Sequence, residues 1–243
     1  MGNVWTIYKR ELRNYFNSPI AYIFIMILLG FTSFVFFFFF QFFAADDASM
    51  RFYLAPLPWI FPVFTAAIAM RLWSEEKKVG TLELLLTMPI RSWEIVLGKY
   101  LATLTILALT LVLTVTVPIT VAIAGDPDWG KIVTAYIGVF LAGAFLLALG
   151  SFISATTENQ IVAFMVTAVA GVLIMAMGVD FVTIGINDFL GGRVGDFLAY
   201  FSVLTHFQNL ERGVVDLRDL VFFLSTTALA LFLNYVAVEG RKY

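Results

Sequence analysis

The chain has 243 residues, of which 61 % are apolar and 13 % are charged, and its mean hydropathy is +0.92. A soluble domain typically carries roughly 25 % charged residues, and a soluble fold of this size would expose too much apolar surface, so the composition indicates a membrane protein. The absence of cysteine excludes disulfides, thiol catalysis and cysteine-ligated zinc, the single histidine excludes paired-histidine haem and zinc sites, and a net charge of −2 without a long basic run argues against nucleic-acid binding.

The N-terminal residues 1–17 have the periodicity of an amphipathic helix. Apolar and aromatic residues recur every three or four positions, and Lys9, Arg10 and Arg13 fall on the opposite side. This pattern predicts a helix at the membrane interface, with its aromatic rings in the headgroup layer and its basic groups toward anionic lipid. Two roles remain open for it: it anchors the first span, or it contacts a cytoplasmic partner.

Six long uncharged stretches follow, and a helix needs about 20 apolar residues to cross a membrane. The sequence therefore predicts an all-α polytopic membrane protein with six transmembrane helices in a single domain. The predicted spans are residues 19–45, 52–70, 100–125, 132–157, 159–179 and 220–238. The phenylalanine cluster at 34–43 is expected to face lipid near the outer interface.

The distribution of Lys and Arg predicts the orientation of these spans, because cytoplasmic loops carry an excess of basic residues. With a cytoplasmic N-terminus, ten basic residues lie inside and five lie outside. The inside set is Lys9, Arg10, Arg13, Arg71, Lys77, Lys78, Arg91, Lys99, Arg241 and Lys242, and the outside set is Arg51, Lys131, Arg193, Arg212 and Arg218. Both termini are therefore expected in the cytoplasm.

The segment 74–92, between the second and third spans, predicts a short apolar helix on a cytoplasmic loop. Gly80 breaks the preceding helix, Thr81 is the expected N-cap, and Glu83 stands in the first turn, where a carboxylate suits the positive helix end. Pro89 ends the helix. Its apolar residues are Leu82, Leu84, Leu85 and Leu86. Such a helix either enters a socket on a partner or lies on the membrane surface, and composition leaves both open.

The connection 180–219 is expected on the outer side. Gly185, Gly191, Gly192 and Gly195 predict an irregular first half, and an apolar pattern at 196–212 predicts one amphipathic surface helix. His206 lies on this helix. Because no second ligand type accompanies it, it is expected to be an interfacial polar residue rather than a metal or proton site.

The predicted spans contain no ionisable residue, which disfavours an ion-coupled carrier. The chain has no G-x-x-x-x-G-K-[ST] phosphate-binding loop, so it is not expected to hydrolyse ATP itself. No catalytic, cofactor-binding or metal-binding residues are predicted. The energy for any transport is therefore expected to come from elsewhere.

The run Glu75-Glu76-x-x-x-Gly80-Thr81-x-Glu83, followed by Leu85, Pro89-Ile90 and Gly98-Lys99, resembles the signature of type-2 ABC exporter permeases. The likeness covers the whole chain, from the N-terminal helix through six spans to an outer helix before the last span. The closing stretch HFQNLERGVVDLRDLVFF, residues 206–223, is most similar to the gliding-motility-associated branch of that family.

The resemblance implies a cytoplasmic coupling helix that seats in a separate ABC ATPase subunit, which binds ATP and magnesium. The implied coupling residues are Glu75, Glu76, Gly80, Thr81, Glu83, Leu84, Leu85, Leu86 and Pro89. It also implies pairing with a second or related permease, and it allows an accessory subunit with an outer-side domain. Spans two and five of such permeases line the central path, which points to Pro56, Pro58, Pro62, Phe64, Phe164, Met165, Met175 and Met177.

The function expected from these observations is that of a permease subunit of an ABC exporter in the bacterial inner membrane, surrounded by lipid and driven by another subunit. The alternative is a non-transport component that transmits ATP-driven conformational change to an extracellular or periplasmic machine. A secondary carrier is a third possibility, disfavoured by the uncharged spans. The substrate, which lipid, peptide or glycan would equally fit, stays open.

Overall fold

The structure is a computed structural model that describes residues 2–40, 42, 49–190 and 193–240. Every regular element in these ranges is a helix, which confirms the all-α prediction. The helices are α1 (Gly2–Asn17), α2 (Pro19–Phe34, continued by a π-helical turn at Val35–Phe39), α3 (Arg51–Leu54), α4 (Leu57–Ala69), α5 (Arg71–Val79), α6 (Thr81–Thr87), α7 (Ser92–Thr114), α8 (Thr116–Ala124), α9 (Trp129–Thr156), α10 (Gln160–Ala176), α11 (Asp180–Leu190), α12 (Val194–Ala199), α13 (Val203–Glu211) and α14 (Leu217–Glu239).

Five helical stretches in the described residues are long and apolar enough to cross a membrane. They are Ala21–Phe39, Arg51–Val79, Ser92–Ala124, Trp129–Thr156 and Leu217–Glu239. A sixth crossing exists if α10 and α11 count as one span, and these two helices are bent by 80° relative to each other. The multi-pass prediction is therefore confirmed, with five or six candidate spans among the described residues.

Two ends of the bundle can be distinguished by their contacts. At one, the α6 end, Arg71 donates to the Ser18 hydroxyl over 2.8 Å, and Lys77 donates to the Ala155 carbonyl at the last turn of α9. At the other, the α13 end, Arg51 pairs with Glu211 over 3.1 Å. Arg71 and Lys77 of the predicted inside set thus lie at the α6 end, and Arg51 of the predicted outside set lies at the α13 end, while Arg241 and Lys242 lie outside the described residues.

The helical stretch that contains the second predicted span, 52–70, continues beyond residue 70 through α5 to Val79. The charge of Arg71 suggests a boundary there, whereas Trp73 and Ser74 beyond it are fully buried. The indole of Trp73 donates to Ser151 of α9 over 3.2 Å, and Asn234 of α14 donates to the same hydroxyl over 2.7 Å. Polar bonds between spans thus join α5 and α14 to the central helix α9.

The phenylalanine cluster divides into two groups. Phe38 and Phe39 are exposed, as expected for a surface that faces lipid. Phe36, in contrast, is buried and meets the Tyr53 ring edge-on, with ring centroids 5.5 Å apart. The predicted lipid-facing role is wrong for Phe36 and for Phe42, which is 8 % exposed, and Phe43 lies outside the described residues.

The connection before the last span differs from its prediction in three ways. Its first half is the helix α11, which includes Gly185, while Gly191 and Gly192 lie outside the described residues. The predicted single helix at 196–212 is divided into α12 and α13, because the Ser202 hydroxyl accepts from the Leu204 N–H over 3.1 Å and starts a new helix. His206 is 4 % exposed, so the interfacial prediction is wrong.

Candidate functional site

The break between α5 and α6 is made by Gly80, which adopts the left-handed conformation with φ +77° that glycine enters without a Cβ clash. Its N–H closes α5 on the Lys77 carbonyl over 3.1 Å. Gly80 is also the N-cap of α6, so the prediction that Thr81 is the cap is wrong. Thr81 is instead the first residue of α6, and its hydroxyl donates back to the Glu76 carbonyl over 3.3 Å.

The apolar residues of α6 face in different directions. Leu82 and Leu85 are buried in the core of this chain, whereas Leu84 is 65 % exposed. The side chain of Leu86 lies outside the described part of the structure. The predicted apolar patch is therefore divided, and among the leucines of α6 whose side chains are described, Leu84 is the exposed one.

The remaining predicted residues of α6 occupy its two ends. Glu83 stands exposed in the first turn, as predicted. The helix ends at Thr87, and Met88 takes an extended conformation with φ −65° and ψ 149°. A residue before proline favours that conformation, so Pro89 ends the helix in the expected way.

A group of charges, centred on a buried lysine, lies beside α6 and joins three helices. Lys99 of α7 is 1 % exposed, and its ammonium lies 3.1 Å from Glu11 of α1 and 3.0 Å from Glu76 of α5. Arg10 contacts the same two carboxylates over 2.7 and 3.0 Å. We call these four residues the charge cluster. It contains two carboxylates and two cations, so its formal charge is zero.

Further bonds complete the surroundings of the charge cluster. Lys99 also donates to the Leu72 carbonyl over 2.8 Å, and its ammonium stands 5.2 Å from the centre of the Trp73 ring. The second oxygen of Glu76 is buried without a hydrogen-bond partner among the described residues. Burial opposes the ionisation of Glu11, but the neighbouring Lys99 and Arg10 outweigh it and hold the pKa of Glu11 below its usual value.

The two adjacent motif acids therefore bind this chain itself. Glu75 pairs with Arg71 through both of its oxygens, over 2.7 and 2.9 Å. Arg71 in turn reaches Ser18, which precedes α2. Glu75 and Glu76 consequently tie α5 to the start of α2 and to α1.

The motif residue Gly98 explains how α1 comes so close to α7. A Cβ at Gly98 would lie 2.8 Å from the Cγ2 atom of Ile7, a separation that real Cβ atoms do not show. The buried face of α1 is accordingly Ile7 and Glu11, while Trp5 is exposed. The N-terminal helix is thus packed on the third span through residues at i and i+4, with its tryptophan left on the outside.

A groove of about 770 Å³ runs between α1, α5 and α6. Its walls include the charge cluster, and Leu84, Leu85 and Met88 form its apolar side. The described residues contain no group of three or more potential metal ligands. The arrangement is suited to transmitting motion, because ion pairs hold α5 to the bundle and Gly80 connects α5 to a short helix on which Leu84 is exposed.

Half of the eight residues expected near a central path are buried in this single chain. Helix α4 packs directly against α10, and Phe64 and Met175 are buried. Met165 is exposed on the outer face of α10. A role for these residues in a path between two permeases stays a prediction.

Comparison with known families supplies the assignment. The model of the family described as "ABC-2 family transporter protein" matches residues 5–238, nearly the whole chain. The chain belongs to the ABC-2 transporter family. No curated protein matches it. As an ABC-2 family protein it is a multi-pass membrane component of an ABC transporter, and the match extends from α1 to α14.

Sequence reasoning misses most of the charge cluster in this ABC-2 protein. The pattern of α1 predicts that Arg10 faces lipid headgroups, whereas Arg10 pairs with Glu11 and Glu76. Lys99 and Asp219, the charges that bound the third and sixth predicted spans, are buried in α7 and α14. One signal is available in α1. Ile7 and Glu11 are four residues apart, the spacing of a shared helix face.

Proposed function

We propose that this chain is the permease subunit of a type-2 ABC exporter and that α6 is its coupling helix. A separate ATPase subunit binds ATP and magnesium, and it receives α6 in a socket on its surface. The observation that carries the proposal is the exposed Leu84 on a short helix that a left-handed glycine holds beside the bundle. Family membership supports a membrane component of such a transporter.

The surroundings of α6 support a role in transmitting force. A helix that moved freely would pass no motion to the spans, but α5 is bound to α1 and α7 through Glu76 and to α9 through Trp73. Motion of an ATPase against Leu84 is therefore transmitted to α1, α7 and α9. The 243 residues contain no phosphate-binding loop, which is why the proposal assigns ATP to another subunit.

The proposal includes an orientation and further partners. The α6 end faces the cytoplasm of a bacterial cell and the α13 end faces outward, with both termini inside, because basic residues favour the cytoplasmic side ten to five. The chain contains no cysteine, so single cysteines at the exposed positions Lys78 and Asp126 can be labelled without further changes. In intact cells, a membrane-impermeant maleimide should label Asp126→Cys and leave Lys78→Cys unlabelled. Labelling of Lys78→Cys would contradict this orientation.

Pairing with a second permease and contact with an accessory outer subunit rest on the family resemblance. The gliding-motility branch rests on residues 206–223, the segment that contains α13 and the start of α14. These finer assignments leave the substrate open.

The coupling role is tested by replacing Leu84 with a charged residue. Leu84→Asp puts an uncompensated carboxylate into the proposed socket, which typically costs about 2 kcal/mol or more at such a position, or roughly thirtyfold in affinity. The chain is co-expressed with the phosphate-loop ATPases of its own genome and purified through its own tag. We expect an ATPase to co-purify with the wild type and to be lost with Leu84→Asp, while the thermal unfolding of the chain is unchanged.

Two controls sharpen this test. Val214→Asp introduces the same charge at an exposed position of the α13 end, and it should retain the ATPase. Leu85→Asp buries a charge in the chain itself and should lower its stability. An unchanged yield of ATPase with Leu84→Asp contradicts the coupling role. ATPase binding and stimulation without transport of any tested substrate favour the non-transport alternative.

A further inference from the structure

His206 and Asp219 form a buried pair at the α13 end, far from the coupling site. Nδ1 of His206 lies 2.7 Å from Oδ1 of Asp219, and the two residues are 4 % and 2 % exposed. Nε2 of the same ring lies 2.9 Å from the carbonyl oxygen of Tyr200. The other carboxylate oxygen of Asp219 accepts from the amide of Asn209 over 3.0 Å. The pair joins α13 to the first turn of α14.

Both ring nitrogens of His206 therefore face oxygen acceptors. A neutral imidazole carries one N–H and one lone pair, so it satisfies only one of these two oxygens. The imidazolium donates to both. The ring also stacks on Phe222 with centroids 3.9 Å apart, and the electron-rich face of an aromatic ring favours a cation. The negative charge of Asp219 suits its position in the first turn of α14.

The neighbours of the imidazole are defined on each element that packs against α13. From α14 they are Asp219, Phe222 and the edge of Phe223, and from the end of α12 the Tyr200 ring and carbonyl. Phe207 and Leu210 of α13 pack against Gly138 of α9, and the Ser202 hydroxyl donates to the Met175 carbonyl of α10. Charged side chains at this end of neighbouring elements are Lys131 of α9, beside Gly213, and Asp216 and Arg218, which share a groove with Tyr200 and Phe222. The nearby charges of α13 itself are Glu211, which pairs with Arg51, and the exposed Arg212.

We propose that His206 and Asp219 form a protonation-dependent latch that holds α13 against α14. Protonated His206 satisfies both acceptors and closes the latch. When the His206 ring loses one of its two N–H protons, one of the two buried acceptors is left without a donor, and the contact between α13 and α14 is weakened. The inference does not depend on the proposed transport function, since it concerns only the packing of the α13 end.

The direction of the pH effect follows from linkage. The closed arrangement offers acceptors to both nitrogens and so binds one proton more than an open arrangement with a neutral, solvated ring. Acid therefore favours closure, and alkali favours opening. The comparison is made between about pH 5.5 and about pH 8.5, which lie on either side of the range in which solvated histidines change protonation.

The experiment uses the full chain in lipid nanodiscs, purified through a tag without histidine. His206 is the only histidine, so the ¹⁵N resonances of labelled imidazole report its protonation without ambiguity. Hydrogen exchange of the α13 amides, corrected for the pH dependence of intrinsic exchange, reports the closure. We expect the protection of α13 to be roughly tenfold greater at about pH 5.5 than at about pH 8.5, the effect of one buried hydrogen bond, and to change together with the imidazole signal.

Matched variants separate a latch from a structural contact. His206→Gln and Asp219→Asn should each remove most of the pH dependence of α13 protection, and the second keeps the test valid if the first does not fold. Asp196→Asn changes an exposed carboxylate at the same end, bonded to Asn187 over 3.0 Å, and should keep the dependence. Equal protection of wild-type α13 at both pH values overturns the proposal, as does an undiminished dependence in His206→Gln or Asp219→Asn.

Discussion

Replacing Lys99 by methionine tests whether the charge cluster holds the α6 end together. Methionine keeps the length and the buried aliphatic stem of lysine but removes the ammonium. The change deletes three polar contacts, to Glu11 over 3.1 Å, to Glu76 over 3.0 Å and to the Leu72 carbonyl over 2.8 Å. Two carboxylates then share the single cation of Arg10, and the formal charge of the cluster falls from zero to −1.

The expected cost follows from the burial of these groups. Removing one partner of a buried ion pair typically destabilises a protein by about 3–5 kcal/mol, because the other charge stays buried without compensation. Arg10 is partly exposed and still contacts both carboxylates, which favours the lower end of this range. We therefore expect Lys99→Met to lower the free energy of unfolding by about 3 kcal/mol.

A second substitution isolates the electrostatic part of this loss. Adding Glu11→Gln to Lys99→Met returns the cluster to a formal charge of zero, with Arg10 and Glu76 as the remaining pair. The double variant should be about 1–2 kcal/mol more stable than Lys99→Met alone, since it no longer buries an uncompensated charge. Denaturant unfolding in detergent micelles, followed by tryptophan fluorescence, measures all variants under the same conditions.

Lys78→Met is the matched control, because Lys78 is exposed one residue before the end of α5. It should change stability by no more than about 0.5 kcal/mol. The reasoning is refuted if Lys99→Met unfolds like Lys78→Met, or if adding Glu11→Gln makes the Lys99→Met variant less stable.

Three further outcomes are expected. Gly98→Ala should lower the free energy of unfolding by about 1–3 kcal/mol and increase the protease sensitivity of α1, because its Cβ meets Ile7. Gly30→Ala is the control: Gly30 has open space around it, so this change should be neutral or stabilising. Gly80→Ala should lower the free energy of unfolding by about 1–2 kcal/mol, because alanine is strained in the left-handed conformation of residue 80, and it should reduce the co-purification of the ATPase. The lowered pKa of Glu11 means that its contribution to stability is complete above about pH 4.3 and is lost as the pH falls further, so the unfolding midpoints of wild type and Glu11→Gln should converge in acid.

Local patterns in the sequence determined much of the architecture. Hydropathy and charge spacing are enough to predict an all-α membrane bundle, because each span must bury its own backbone bonds and show an apolar surface to lipid. Likewise, Gly80 and Pro89 mark the ends of α6, since both act on the backbone within one or two residues. The resemblance read from residues 75–99 agrees with the ABC-2 family match.

Boundaries that rest on charge alone are less well predicted. The charge of Arg71 suggests the end of the second span, but it is paired with Glu75, and the helical stretch continues to Val79. The fifth span, by contrast, is predicted to end at residue 179, directly before α11 begins at Asp180. The 80° angle between α10 and α11 has no such local signal, because it depends on how α11 packs.

Only the tertiary structure decided which side chains are buried and which are exposed. Leu84 and Leu85 are adjacent and chemically identical, yet one is exposed and the other buried, because only one faces the core. Lys99 and Glu11 are 88 positions apart, and no local pattern relates a lysine in a span to an acid in a surface helix. Their pairing exists because α1 packs on α7 closely enough to exclude water, and two charges removed from water must compensate each other.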